Sequence, residues 1–153
     1  MLPAEADVCR WLATAGASAE VAATTLGVMA RIEAARAADV LASLRDGEGG
    51  FDMLVDLFAI DTGEGIDLRY HLRALDRDED LYLAAWVDYD GEAPSVWRAY
   101  PAALYPEREA AEMFGMTFVG HPNLKRLLTS DEVEAPLLRK STLIRTWEET
   151  RRD

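Results

Sequence analysis

Apolar positions recur along this chain with two different periods, and the changes of period mark out its elements. Between Ala4 and Ala15, the residues Val8, Trp11, Leu12 and Ala15 fall three or four apart, on one face of a short helix. Leu26–Ala34 (LGVMARIEA) admits a strand or a helix, and strand is the preferred reading. From Ala37 to Arg45 the stripe Val40, Leu41 and Leu44 predicts a second helix, which Gly47, Gly49 and Gly50 then break. Phe51–Ile60 (FDMLVDLFAI) is an apolar run beside glycines and predicts a buried strand.

The next stretch changes to period two. Ile66, Leu68, Tyr70 and Leu72 point one way, and Asp67, Arg69 and His71 the other, as in a half-buried strand. Leu81–Asp88 alternates again, with Leu81, Leu83, Ala85 and Val87 on one face. The acidic run Asp76–Asp80 between them predicts a turn, so the pair reads as an antiparallel hairpin. Ser95 is placed to cap a short helix through Val96, Trp97 and Arg98. Pro106–Phe114 predicts a further short helix. Pro106 suits its first position, Glu107 and Glu109 suit the positive end of its dipole, and Gly115 suits the place just past its end. After Gly120 the chain reads as loop until Leu124–Leu128.

No repeat, linker or second run of elements divides the 153 residues, so residues 1–153 are read as one α+β domain. The expected architecture is a small, mainly antiparallel sheet with helices packed around it and an extended C-terminal segment. Half the residues are hydrophobic and 29% are charged, which suits a folded globule rather than a disordered chain.

The net charge of -12 argues against a nucleic-acid partner, because neutralising phosphates takes clustered Lys and Arg. It argues equally against direct adhesion to an anionic membrane. Cys9 is the only cysteine, so neither an internal disulfide nor a thiolate cage for zinc or iron–sulfur is available. The N-terminal residues lack a basic stretch of signal-peptide type, and no uncharged apolar run is long enough to span a bilayer. Membrane association is therefore expected through partners, from the cytoplasmic side.

One segment carries more than fold. YPEREAAEMFGMTFVGHPNLKRLL, from Tyr105, and then LLRKS resemble the signature of the C-subunit family of respiratory complex I (NADH-quinone oxidoreductase). Glu107, Arg108, Glu109, Glu112, Met113, Phe114, Gly115, Phe118, Gly120, His121, Pro122, Leu124, Arg126, Leu127, Leu128, Leu138, Arg139 and Lys140 match it in order and spacing. FDMLVDLFAID resembles the family's strand ending in Asp, and Tyr70–Leu72 its tyrosine-bearing strand. Two departures stand out: Glu112 replaces the usual Asp, and Pro136 lies one place early.

The resemblance implies a structural subunit with no catalytic residue, metal, flavin, quinone or iron–sulfur cluster of its own, those cofactors lying on partner subunits. It implies docking on the quinone-site (D) subunit and on the iron–sulfur (B and I) subunits of an ion-translocating complex. Related chains occur in membrane-bound nickel–iron hydrogenases and in F420H2- or ferredoxin-dependent quinone reductases, which form the alternative. A free-standing acidic adaptor, or a small hydrolase using Glu107 and Glu109, is the remote one.

The interface set implied is Glu107, Arg108, Glu109, Phe114, Gly115, His121, Pro122, Leu124, Arg126, Arg139 and Lys140. Taken alone, Glu107, Arg108 and Glu109 read as a solvated, dipole-favoured face. The family match adds a bidentate bridge from Arg108 to a carboxylate, within the chain or across an interface. Phe114 reads as core or as an apolar partner contact, Gly115 and Gly120 as backbone freedom, and His121 as a loop histidine satisfying backbone groups. A metal site at His121 lacks partners, since His71 is the only other histidine. Lys125, Arg126, Arg139, Lys140 and Arg145 read either as ordinary surface charge or as a docking edge for an acidic partner. Trp97, Tyr100 and Tyr105 are equally suited to the core and to an interface.

Overall fold

The alternation along Ile66–Leu72 extends into a strand, β4 (Ile66–Ala74), whose inward residues Ile66, Leu68, Tyr70, Leu72 and Ala74 are all fully buried. It pairs antiparallel with β5 (Glu79–Val87), which places Leu68 opposite Ala85 and Tyr70 opposite Leu83. These strands are the centre of a five-stranded sheet in the computed structural model, which describes residues 3–25, 27–133 and 136–142. On one side lies the edge strand β3 (Met53–Asp61), antiparallel to β4. On the other, β2 (Gly27–Glu33) runs parallel to β5 and carries β1 (Glu20–Thr24) as an antiparallel outer strand. The order is β1-β2-β5-β4-β3, with β2–β5 its one parallel pair.

Three α-helices cover one face of this sheet. α1 (Glu5–Thr14) contributes Val8, Trp11 and Leu12, and α2 (Ala37–Asp46) contributes Ala37, Val40, Leu41 and Leu44. Both stripes join the core with Val28, Ala30, Ile32, Leu57 and the inward residues of β4 and β5. α1 ends at Gly16, whose positive φ of 67° lets its N–H reach the Ala13 carbonyl and the Ala17 N–H reach Leu12. Phe51 is fully buried and meets Trp11 edge-on, with ring centroids 5.5 Å apart. The Tyr100 hydroxyl donates to the Phe51 carbonyl at 2.6 Å, so this tyrosine belongs to the core.

The α+β reading and the predicted elements up to β5 hold, with corrections. The run Phe51–Ile60 is no buried strand. β3 is at the sheet's edge, a bulge between Leu54 and Asp56 shifts its register, and Met53, Val55, Phe58 and Ile60 are 39–42% exposed. They lie toward the face that no helix covers, where a continuous apolar run gives no inward and outward distinction. No helix follows Ser95, where Trp97–Ala99 form a turn. Leu124–Leu128 adopts no regular element either. A small second sheet pairs β6 (Glu92–Pro94) in parallel with β7 (Thr117–Val119), and nothing in either three-residue segment announces it. The helix α3 (Leu104–Phe114) begins before Pro106, behind a 3-10 turn at Pro101–Ala103 whose first position is a proline.

Candidate functional site

Helical spacing puts Arg108 and Glu112 one turn apart on the same side of α3. Both reach the same loop. The Arg108 guanidinium donates to the carbonyls of Lys125 at 2.8 Å and Arg126 at 2.7 Å. The Glu112 carboxylate accepts the next three backbone amides, Leu127 at 2.7 Å, Leu128 at 3.0 Å and Thr129 at 2.7 Å, together with the Thr129 hydroxyl. A cation thus holds two carbonyls and an anion holds three amides of five consecutive residues. Burial raises the Glu112 carboxyl, but the hydrogen bonds from Thr129, Leu128 and Leu127 outweigh it and bring its pKa down to about 2. Arg126 extends the fastening, donating to the carbonyls of Ser130 at 2.7 Å and Val133 at 2.6 Å.

The C-terminal end of α3 is fastened in the same manner. Gly115 takes the left-handed conformation (φ 69°, ψ 33°) and its N–H closes on the Ala111 carbonyl. Arg139 lies across this end. It donates to the free carbonyls of Phe114 at 2.7 Å and Gly115 at 3.2 Å, bridges Asp90 at 2.8 Å, and stands over the Tyr89 ring at 4.9 Å. The Leu138 N–H donates to Met113, and the Lys140 N–H to the Asp61 carboxylate at 2.7 Å. Asp61 also accepts the Tyr89 hydroxyl and the Gly63 N–H. Burial opposes the charge on Asp61, and these three donors overcome it, so its pKa lies below the ordinary value.

At the other end of α3, Glu107 is fully buried. Its carboxylate accepts the Ser95 hydroxyl and the Val96 N–H, the latter at 2.7 Å, and burial holds its pKa above the usual range. His121 stands 3.9 Å away. Its Nδ1 accepts the Asn123 N–H at 3.0 Å, which leaves the proton on Nε2 to donate to the Leu104 carbonyl at 2.9 Å. Among the described residues no cluster of His, Cys, Asp or Glu has the arrangement to hold a metal ion. No helix of the described residues is long and apolar enough to cross a membrane.

Residues 30–146 match the family model described as "Respiratory-chain NADH dehydrogenase, 30 Kd subunit". The chain belongs to this family. It is 38% identical over 127 residues to the NADH-quinone oxidoreductase C subunit of Rhodobacter capsulatus, covering 80% of this chain and 63% of that one. It is 37% identical over 121 residues to the like-named protein of Phenylobacterium zucineum, covering 77% of this chain and 57% of that one. The chain therefore spans about three-fifths of the length of these curated relatives. In Acinetobacter baumannii a 35% identical relative is named as a combined C/D subunit, of which the matched part is 22%. A solved chain from the archaeal membrane-bound sulfane sulfur reductase, a respiratory membrane complex, shares the fold. Its TM-score is 0.77 at 24% identity, over 96% of this chain and 89% of that one.

Within the 30 Kd subunit family signature, several expectations need correcting. Glu107 is not part of a solvated face, because α3 turns it inward onto Ser95 and Val96. Glu109 remains exposed, so the two glutamates face different surroundings. Within the chain Arg108 bridges two carbonyls rather than a carboxylate. Arg126, through Nη1, and Arg139 donate to groups inside the chain, whereas Lys125 and Lys140 keep exposed side chains. Phe114 is buried and Leu124 half-buried against the core, while Pro122 is exposed. Trp97 donates its indole N–H to Gly120 at 2.9 Å, and Tyr105 is 64% exposed. Arg145 lies outside the described residues.

Sequence reasoning passed over Asp61 as a fastening point and gave Glu112 no role. The signal for Glu112 was present in its spacing from Arg108; Asp61 offered only its place at the end of a matching strand.

Proposed function

We propose that this chain is a cofactor-free scaffold in the peripheral arm of a membrane-bound, ion-translocating complex of the NADH-quinone oxidoreductase type. It carries no chemistry of its own, sits on the cytoplasmic side, and packs on the quinone-site (D) subunit and beside the iron–sulfur (B and I) subunits. The observation that carries this reading is the Arg108–Glu112 clamp. It holds a loop without regular structure in one shape, and that loop presents Leu128 at 60% exposure. The fixed Leu138 (50% exposed) and Tyr105 add further apolar surface along the same segment. Ordering a surface before it meets its partner removes part of the entropy cost of association. The combined C/D naming of a relative supports the quinone-site subunit as a neighbour.

The test is assembly. The double variant Arg108→Ala, Glu112→Ala should fold, lose the loop's fixed shape, and be depleted from the complex purified from detergent-solubilised membranes. Quinone-reductase activity should fall in proportion. Full occupancy and activity of the double variant would remove the clamp's role, and a wild-type chain that elutes alone from those membranes would overturn the reading altogether.

A further inference from the structure

The β3–β4 hairpin determines which backbone groups of β3 face outward. Thr62 N–H donates to the Gly65 carbonyl at 3.0 Å. From that closing pair, antiparallel alternation makes Ile60–Asp67 and Phe58–Arg69 hydrogen-bonded pairs. Leu57 and Ala59, opposite Tyr70 and Leu68, are the pairs between, so their N–H and C=O groups point away from β4. The Leu57 N–H accordingly meets the neighbouring Asp56 carboxylate at 2.8 Å. No strand of the described residues lies beyond β3, and no backbone hydrogen bond from the described residues beyond the ladder reaches Leu57 or Ala59.

A groove of about 260 Å³ runs between this edge and α3. Buried Ala110 and Phe114 and exposed Leu138 give it apolar walls, and the residues Asp56–Ala59 form its β3 side. Asp56 and Glu109 both line it, and neither has an ion-pair partner among the described residues. An edge whose outward backbone groups pair with no strand, an apolar slot beside it and two carboxylates without ion-pair partners together specify one kind of ligand. It is an extended segment that supplies main-chain hydrogen bonds, an apolar side chain and a cation.

We propose that β3 receives a sixth strand from a neighbouring subunit. That strand is an extended segment with an apolar side chain seated between Phe114 and Leu138 and a Lys or Arg facing Asp56 and Glu109. The inference rests on the assembly role proposed above and names the surface and the partner chemistry for it.

Two measurements on the assembled complex test it. Amide exchange of the Leu57 and Ala59 N–H groups should slow at least about tenfold on assembly relative to the isolated chain. A photoreactive benzoylphenylalanine in place of Phe58 should cross-link to a neighbouring subunit within a segment containing Lys or Arg. Unchanged exchange, no adduct, or an adduct only to this chain or a second copy of it would overturn the proposal.

Two variants separate folding from docking. Ala59→Pro removes an outward N–H and leaves the β3–β4 ladder intact, as prolines on edge strands do. The pair Asp56→Lys, Glu109→Lys keeps every outward N–H of β3, releases the Leu57 N–H from Asp56, and reverses the charge. Each should keep the thermal transition of the isolated chain and lower its retention in the complex about tenfold. If the charge-reversed chain folds and is retained as wild type, the groove is not the docking site, although the assembly role stands. If the wild-type chain is found outside any complex, the assembly role itself fails.

Discussion

Glu107 and Glu112 lie five positions apart in one helix and are held in opposite ways. Glu112 accepts four donors and titrates near pH 2, below its unfolded value. Its contribution to stability is therefore complete above the unfolded pKa and is lost as pH falls through the folded one. Glu107 is shifted upward by burial. Its ionisation penalises the folded state increasingly as pH rises from the unfolded pKa through the folded pKa, and the penalty is absent below that window. We therefore expect Glu112→Gln to flatten the acid-side loss of stability between about pH 5 and pH 2, and Glu107→Gln to remove a loss that develops as pH rises above about 4.5. Urea unfolding of both variants at a series of pH values checks the signs, and parallel curves for the two would contradict them. At neutral pH, Glu112→Ala should destabilise by about 2 kcal/mol or more, since three backbone amides lose a charged acceptor. Arg108→Lys should not restore what Arg108→Ala removes, because a single ammonium lacks the fork that spans the Lys125 and Arg126 carbonyls. The unfolding midpoints of the two variants, compared with wild type, decide it.

At the scale of elements, the end of α3 is held by close packing and a left-handed residue together. A Cβ on Gly115 would meet Arg139 Nη2 at 2.9 Å and Pro136 Cγ at 3.2 Å, and the residue already holds a positive φ. Gly115→Ala should cost about 1–2 kcal/mol in backbone strain alone and loosen the attachment of residues 136–142. Denaturant unfolding measures the first effect, and exchange of the Leu138 and Lys140 amides the second. Elements with a clear period were legible from the chain: Ile66–Leu72 and Leu81–Val87 alternate because only one face of the sheet is covered. The position of β3 is legible but its burial is not, because its outward residues are also apolar and the period-two signal vanishes when both faces carry the same residue type. The loop held by Glu112 left no local trace, since its order comes from side chains on a different element.

For the whole molecule, that same asymmetry separates a helix-covered side from a bare one with exposed apolar residues. The helix-covered face holds the core, whereas the bare face carries Phe58, Ile60 and Trp86 around a polar centre. There Asp67, only 5% exposed, is bridged by Arg31 at 3.1 Å and also by Arg69. Replacing Phe58 and Ile60 by Ser should lower stability by less than about 1 kcal/mol each, because neither is a core residue. The isolated double variant should also stay monomeric at higher concentration than wild type, as light scattering would show. The family signature was read correctly as a signature, yet most of its charged members act inside the chain. A motif records that residues belong together, and only the fold reveals whether they face a partner or each other.

The parallel pairing of β2 with β5 also has a consequence in time. During synthesis β1 and β2 leave the ribosome well ahead of β5, so of the two strands that flank β2 among the described residues only β1 is then at hand. The β3–β4–β5 meander can close through adjacent turns, but the N-terminal hairpin must wait for it before its inner edge is sealed. Long-range pairing of this kind is slow, so pulse-labelled amides of β4 and β5 should become protected before those of β1 and β2. Until then the Ala- and Val-rich hairpin keeps one edge unpaired, the kind of surface on which incompletely folded chains associate.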